Sequence, residues 1–117
     1  MKENVIKDKS FAFALRIVKL YQYLCDTKKE FVLSKQVLRS GTSIGANVRE
    51  SEHGQSKADF IHKISISLKE ANETDYWLEL LFQAGYLDEK MYQSLKQDCE
   101  EILKILTAIV KTSKSNR

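Results

Sequence analysis

Apolar residues recur every three or four positions along most of this chain, and glycines or short polar clusters interrupt the pattern at three places. That spacing predicts helices over about residues 9–28, 35–53, 57–84 and 89–112, a frayed tail over 113–117, and no strand. Asp8 stands where an N-cap of the first helix is expected, and the polar run from Asp26 to Glu30 ends it. Ser34 is placed to cap the second helix, with Leu33 and Leu38 at hydrophobic-staple spacing, and Gly54 closes it. Ser56 and Asp59 have capping-box spacing at the head of a long third helix that stops at Gly85, a residue suited to a left-handed C′ position. Asp88 caps the fourth, with Leu87 and Tyr92 as a second staple. Short connections favour antiparallel neighbours, so the expected fold is all-α, an up-down-up-down four-helix bundle.

The faces of these helices carry different amounts of apolar surface. The fourth has a single arc, Met91, Leu95, Cys99, Ile102, Leu106 and Ile109, as expected of a helix that faces one core. The first has two stripes: Phe11, Leu15, Val18 and Cys25 form one, and Phe13, Ile17, Leu20 and Leu24 the other. The third sets Phe60, Ile61, Ile64, Leu68, Ala71, Leu78 and Phe82 against Ile66, Trp77, Leu80 and Ala84 on nearly the opposite side. One core cannot hide all of this surface, and exposed apolar area is unfavourable by roughly 25 cal/mol per Å². Phe13, Ile17, Leu20 and Leu24, with Ile66, Trp77 and Leu80, are therefore the expected contact surface of a homo-oligomer. Asp75 falls at the centre of the third helix's main stripe. A buried carboxylate requires a partner, and Arg39 or Arg49 of the second helix is the expected one.

The chain of 117 residues has room for one domain, residues 1–117. Zero Pro and four Gly exclude collagen-like and turn-dense β architectures. No apolar run approaches the ~18 residues that a membrane-spanning helix requires, so no membrane partner is expected. The N-terminal Met-Lys-Glu-Asn-Val-Ile-Lys-Asp does not read as a signal peptide, and a cytoplasmic location follows as the expectation. Cys25 and Cys99 are expected to be unpaired core thiols.

Charge changes the picture more than composition does. Residues 1–49 hold ten Lys/Arg against four Asp/Glu, and residues 50–117 hold nine against twelve, so a +6 half precedes a −3 half. Arg16, Lys19, Lys28, Lys29, Lys35 and Arg39 form the candidate basic face for phosphate contacts with RNA or DNA. Other motifs carry less. Gly41-Thr42-Ser43-Ile44-Gly45 matches the G-x-S-x-G pattern of a hydrolase nucleophile elbow, but Val37, Gly41, Ile44 and Val48 continue one helical face through it, whereas the elbow needs a strand and a sharp turn. Gly41 and Gly45, four apart, instead suggest close approach of a neighbouring helix. Glu50-x-x-His53 and Asp59-x-x-His62 have the acid-x-x-His spacing of di-iron bundles, yet no second inward Glu pair accompanies them, so no metal or cofactor is expected. Asn72-Glu73-Thr74 is a glycosylation sequon without meaning in a protein that is not secreted.

The stretch Arg39-Ser-Gly-Thr-Ser-Ile-Gly-Ala-Asn-Val-Arg-Glu-Ser-Glu-His53, followed by Ser56-Lys-Ala-Asp-Phe-Ile-His-Lys63 and Lys69-Glu-Ala-Asn-Glu-Thr-Asp-Tyr-Trp-Leu-Glu-Leu-Leu81, resembles the bacterial four helix bundle proteins encoded in intervening sequences of the large-subunit ribosomal RNA gene. That family is in turn similar to the accessory variability protein of diversity-generating retroelements, a pentameric barrel of four-helix bundles with a basic surface. The resemblance implies a non-enzymatic homo-oligomer, a pentamer by analogy, that binds nucleic acid. The remaining alternative is an oligomeric adaptor for a protein partner, built on Ile66, Trp77 and Leu80, and behind it a metal-dependent bundle enzyme.

Overall fold

In the computed structural model, which describes residues 2–115, the chain forms α1 (Lys2–Asp26), α2 (Leu33–Ser51), α3 (Lys57–Gln83) and α4 (Glu89–Ser115). The described residues contain no strand. Packing runs around a ring, α1 on α2, α2 on α3, α3 on α4 and α4 on α1, and the backbones of diagonal helices stay further apart. The result is an antiparallel four-helix bundle 47 Å long and about 20 Å across.

α1 begins earlier than its cap residues suggest, and Asp8 lies inside it instead of heading it. The cause is a core position upstream: Ile6 is fully buried and continues the line Ser10, Phe13, Ile17, Leu20 and Leu24 at alternating spacings of four and three. The same line settles which of α1's two stripes faces inward. Phe13, Ile17, Leu20 and Leu24, expected at an oligomer contact, are core residues of the single bundle. The outward stripe is the other one, with Phe11 52% and Leu15 54% exposed and Val18 beside them. At its far end α4 extends through Ser115, so the expected frayed tail is helical as far as the structure is described; Asn116 and Arg117 lie outside the described residues.

Three helix ends follow local chemistry closely. The Ser56 side chain accepts the Asp59 N–H at 3.1 Å, and the Asp88 carboxylate accepts the Met91 N–H at 2.8 Å. Beyond α3, Gly85 has φ 89°, its N–H bonds to the Phe82 carbonyl, and the Tyr86 N–H bonds to the Leu81 carbonyl, the paired pattern of a Schellman motif.

α2 starts differently. Its first residues have no side-chain bond from the N-cap position, Val32, and Ser34 is buried within the helix rather than capping it. The buried carboxylate of Glu30 reaches forward instead, accepting the N–H groups of Val32, Leu33 and Ser34 at 3.2, 2.9 and 2.7 Å.

α2 and α3 meet across small residues and hydroxyls. Ser67 Oγ donates to the Ile44 carbonyl at 2.8 Å, and the Thr74 and Ser40 hydroxyls bond to each other at 2.9 Å. These pairs let polar groups sit in the core without an unmet bond. They also rotate α3, so that Ser67, Thr74 and Leu81 share the buried face with Ile64, Ala71 and Leu78. Asp75 is thereby moved off the centre of the core to the flank beside α4. On the α1–α2 side, a Cβ on Gly41 would lie 2.8 Å from both γ carbons of Ile17, and one on Gly45 would lie 3.3 Å from the Ser10 carbonyl oxygen. Both thiols are free: Cys25 donates to the Ser34 hydroxyl, and burial pushes the Cys99 thiol up to about 12.

Candidate nucleic-acid interface

The six candidate basic residues separate into two kinds. Arg16, on α1, points to α4, where it donates to Asp98 Oδ2 at 2.6 Å and to the Ser94 hydroxyl at 2.8 Å. Arg39, on α2, points the other way, to α3, and donates to Glu70 at 3.3 Å and to Glu73. Glu73 also accepts the Trp77 indole N–H at 2.9 Å; that bond first, and Arg39 second, hold its carboxyl below the usual glutamate range. The two arginines thus lie on opposite flanks of the α1–α2 pair, and both are engaged within the bundle.

The same holds for other cations of the basic half. Lys7 pairs with Glu52 at 3.3 Å and Lys9 with Glu101 at 2.6 Å. Much of the +6 to −3 asymmetry along the chain is therefore met internally, because α1 and α2 contribute the cations and the segment after residue 49 the anions. Arg49, an expected partner for Asp75, has its guanidinium 5.6 Å from the centre of the Phe11 ring. Asp75 bonds to Lys96 of α4 at 3.1 Å, so neither Arg39 nor Arg49 is its partner. The rotation of α3 explains the exchange, since it turns Asp75 from α2 towards α4.

Lys19, Lys28, Lys29 and Lys35 are exposed and, among the described residues, make no ion pair. Lys28 and Lys29 lie in the α1–α2 loop and Lys35 in the first turn of α2, so three of the four converge on one end of the bundle. Lys19 sits about 10 Å down α1 from that end, by the rise of a helix. There it lines a cleft of about 270 Å³ with Arg16, Leu20, Tyr23, Met91 and Leu95.

The loop that carries these lysines is tightly held. Lys29 adopts a left-handed backbone with φ 55°, the Glu30 N–H bonds to the Leu24 carbonyl at 2.9 Å, and the Glu30 side chain takes the first N–H groups of α2. Burial alone would raise the Glu30 carboxyl, but the N–H groups of Leu33, Ser34 and Val32 outweigh it and set its pKa below the usual glutamate value. With Glu30 turned inward, the loop presents Phe31, 55% exposed, and Val32, 70% exposed, between Lys29 and Lys35. Polar character from Asp26 to Glu30 ends the first helix in the sequence pattern, which gives Phe31 and Val32 no role. Two adjacent apolar residues in a connection that is otherwise polar were the available signal.

The remaining candidate chemistry is elsewhere. Glu50, His53, Asp59 and His62 share a cleft at the opposite end, but Glu50 pairs with Lys63 at 2.8 Å and Asp59 accepts the Gln55 N–H at 3.2 Å. Among the described residues no three His, Cys, Asp or Glu side chains come close enough to share a metal ion. Gly41 to Gly45 lie inside α2, and the Ser43 hydroxyl bonds to the Arg39 carbonyl one turn back at 2.6 Å, which is helical geometry and no elbow. Among the described residues no helix is long and apolar enough to cross a membrane.

Residues 2–108 match the family model described as 23S rRNA-intervening sequence protein, and the chain belongs to that family. Among solved structures it is similar to a protein of unknown function from the S23 ribosomal protein family of Bacteroides thetaiotaomicron. That chain is 60% identical in sequence and superposes with a TM-score of 0.93, over 95% of this chain and 99% of the other. No curated protein matches.

Proposed function

We propose that this member of the 23S rRNA-intervening sequence protein family is a non-enzymatic, cytoplasmic homo-oligomer that binds nucleic acid, RNA foremost, through the lysines at the α1–α2 end of the bundle. The observation that carries the reading is the division of the cations. Arg16 and Arg39 are committed to Asp98, Glu70 and Glu73, whereas Lys28, Lys29 and Lys35 share one end of the bundle, and neither they nor Lys19 further along α1 has a carboxylate partner among the described residues. Lysines left in water at one end of a rigid bundle can trade hydration and counterions for phosphates without breaking any internal pair.

Self-association rests on the outward stripe of α1. Phe11, Leu15 and Val18 leave more apolar surface in water than the bundle itself requires, and Phe11 borders an outer α1–α2 cleft of about 380 Å³ with Ala14, Thr42, Ala46 and Arg49. Five copies is the number that the family resemblance implies. On α3, Ile66, Trp77 and Leu80 are half-buried, and Trp77 packs on the core, so that flank offers less than α1 does.

The test is binding of a labelled RNA over a range of salt. Wild-type affinity falls steeply as salt rises, and Lys28→Glu with Lys35→Glu reduces both the affinity and the salt slope. Arg39 is unsuited to this test, because its reversal would break the α2–α3 pairs. Equal binding by the folded double reversal would remove the lysine end from consideration.

A further inference from the structure

The α1–α2 loop is anchored by backbone bonds at both ends, yet it holds an aromatic and a β-branched residue out in water. Phe31 and Val32 are 55% and 70% exposed, although the loop around them is fixed by the left-handed Lys29, by the Glu30 N–H to Leu24 bond and by three backbone bonds to the Glu30 carboxylate. Burying either side chain inward would have cost the loop little chain length, since Glu30 and Leu33 on both sides of them do turn inward. Lys28, Lys29 and Lys35 flank the pair along the chain; Asp26 is the exposed acid nearest in sequence, and exposed Asp88 and Glu89 head α4 at the same end of the bundle. The N-terminus of α2, otherwise a natural anion site, is already filled by Glu30. Any phosphate held here must be held by lysine side chains.

We propose that this loop is a stacking platform for single-stranded nucleic acid, with a base on the Phe31 ring and the adjoining phosphates on Lys28, Lys29 and Lys35. The inference rests on the nucleic-acid reading above and specifies its ligand. A phenyl ring in a fixed loop can meet the face of a base only where that base is unpaired or splayed out, because in a duplex both faces are covered by neighbours. Charge complementarity attracts any nucleic acid; the ring selects single strands. Pre-fixing the loop means that little ordering is required on binding.

The experiment uses the full chain, a fluorescently labelled unstructured RNA of about a dozen nucleotides, and the same RNA annealed to its complement. Wild-type protein is expected to prefer the single strand. Phe31→Ala should weaken single-strand binding about 5- to 150-fold, the range of one stacked base, and leave duplex binding unchanged. Phe31→Trp should restore it. Because Phe31 is exposed, the variants should keep the wild-type circular dichroism and melting temperature. If Phe31→Ala binds the single strand like wild type while Lys28→Glu with Lys35→Glu does not, the stacking platform is overturned and the lysine contact stands. If neither change matters, or wild type binds neither RNA, both readings fall. If Phe31→Ala abolishes sedimentation with vesicles of phosphatidylserine and phosphatidylcholine but leaves RNA binding intact, the loop serves a membrane surface and the proposal is overturned.

Discussion

The Ser34 backbone N–H donates to the Glu30 carboxylate four residues before it, at 2.7 Å, so that the residue expected to cap α2 is itself held by the true cap. Glu30 serves three N–H groups where a serine N-cap serves one. Glu30→Ala should destabilise the bundle by about 1–2 kcal/mol, since it leaves those donors unmet. A pH dependence follows. The folded carboxyl has a pKa below the usual glutamate value, so the unfolded chain binds the extra proton. The stabilisation is therefore complete above the usual range near pH 4.5 and is lost as pH falls through the lower folded value. Urea melts of wild type and Glu30→Gln should differ most at neutral pH and converge in acid.

Gly41 is expected to resist even alanine. A methyl there would meet the two γ carbons of buried, β-branched Ile17 at 2.8 Å, which cannot swing aside in a packed core. Gly41→Ala should cost about 1–2 kcal/mol in spite of the better helix propensity of alanine. Gly45→Ala, at 3.3 Å from Ser10, should cost less. Combining Gly41→Ala with Ile17→Ala should cost less than the sum of the two, measured by chemical denaturation.

The ion pair between Asp75 and Lys96 gives a third check. A double-mutant cycle of Asp75→Asn with Lys96→Met should show a coupling of about 0.5–1 kcal/mol, as for a pair at the bundle surface. Cycles of Asp75 with Arg39 or Arg49 should be additive.

Much of the fold was legible in the sequence because helix ends and heptad spacing are local. Ser56, Gly85 and Asp88 act within a few residues of themselves, and each does what its position suggests. The two stripes of α1 were both visible, but their apolar content is similar, and the choice between them depends on Ile6 and on the glycines of α2 that receive Ile17. Asp75 lies on the flank and not in the core because Ser67 and Thr74, polar in sequence, are paired across the core and count as interior residues. The basic half was equally plain as a count. Which cations remain free depends on where Glu70, Glu73, Asp98 and Glu101 arrive, and that is a property of the tertiary fold.

The outward α1 stripe sets the prediction for assembly. Leu15→Glu should lower the solution mass measured by sedimentation equilibrium and keep the helical circular dichroism, because Leu15 is 54% exposed in the single bundle. Ile17→Glu, two residues on, should instead unfold the protein. An unchanged mass for Leu15→Glu would free this stripe from any role in self-association.

Ultraviolet crosslinking in the cells that naturally make the protein, followed by stringent purification and sequencing of the attached nucleic acid, tests the central claim most directly. Recovery of a discrete RNA population with the wild-type chain, lost when Lys28 and Lys35 are replaced by glutamate, is the predicted result. Recovery at background level, or equal recovery with the double reversal, would contradict it.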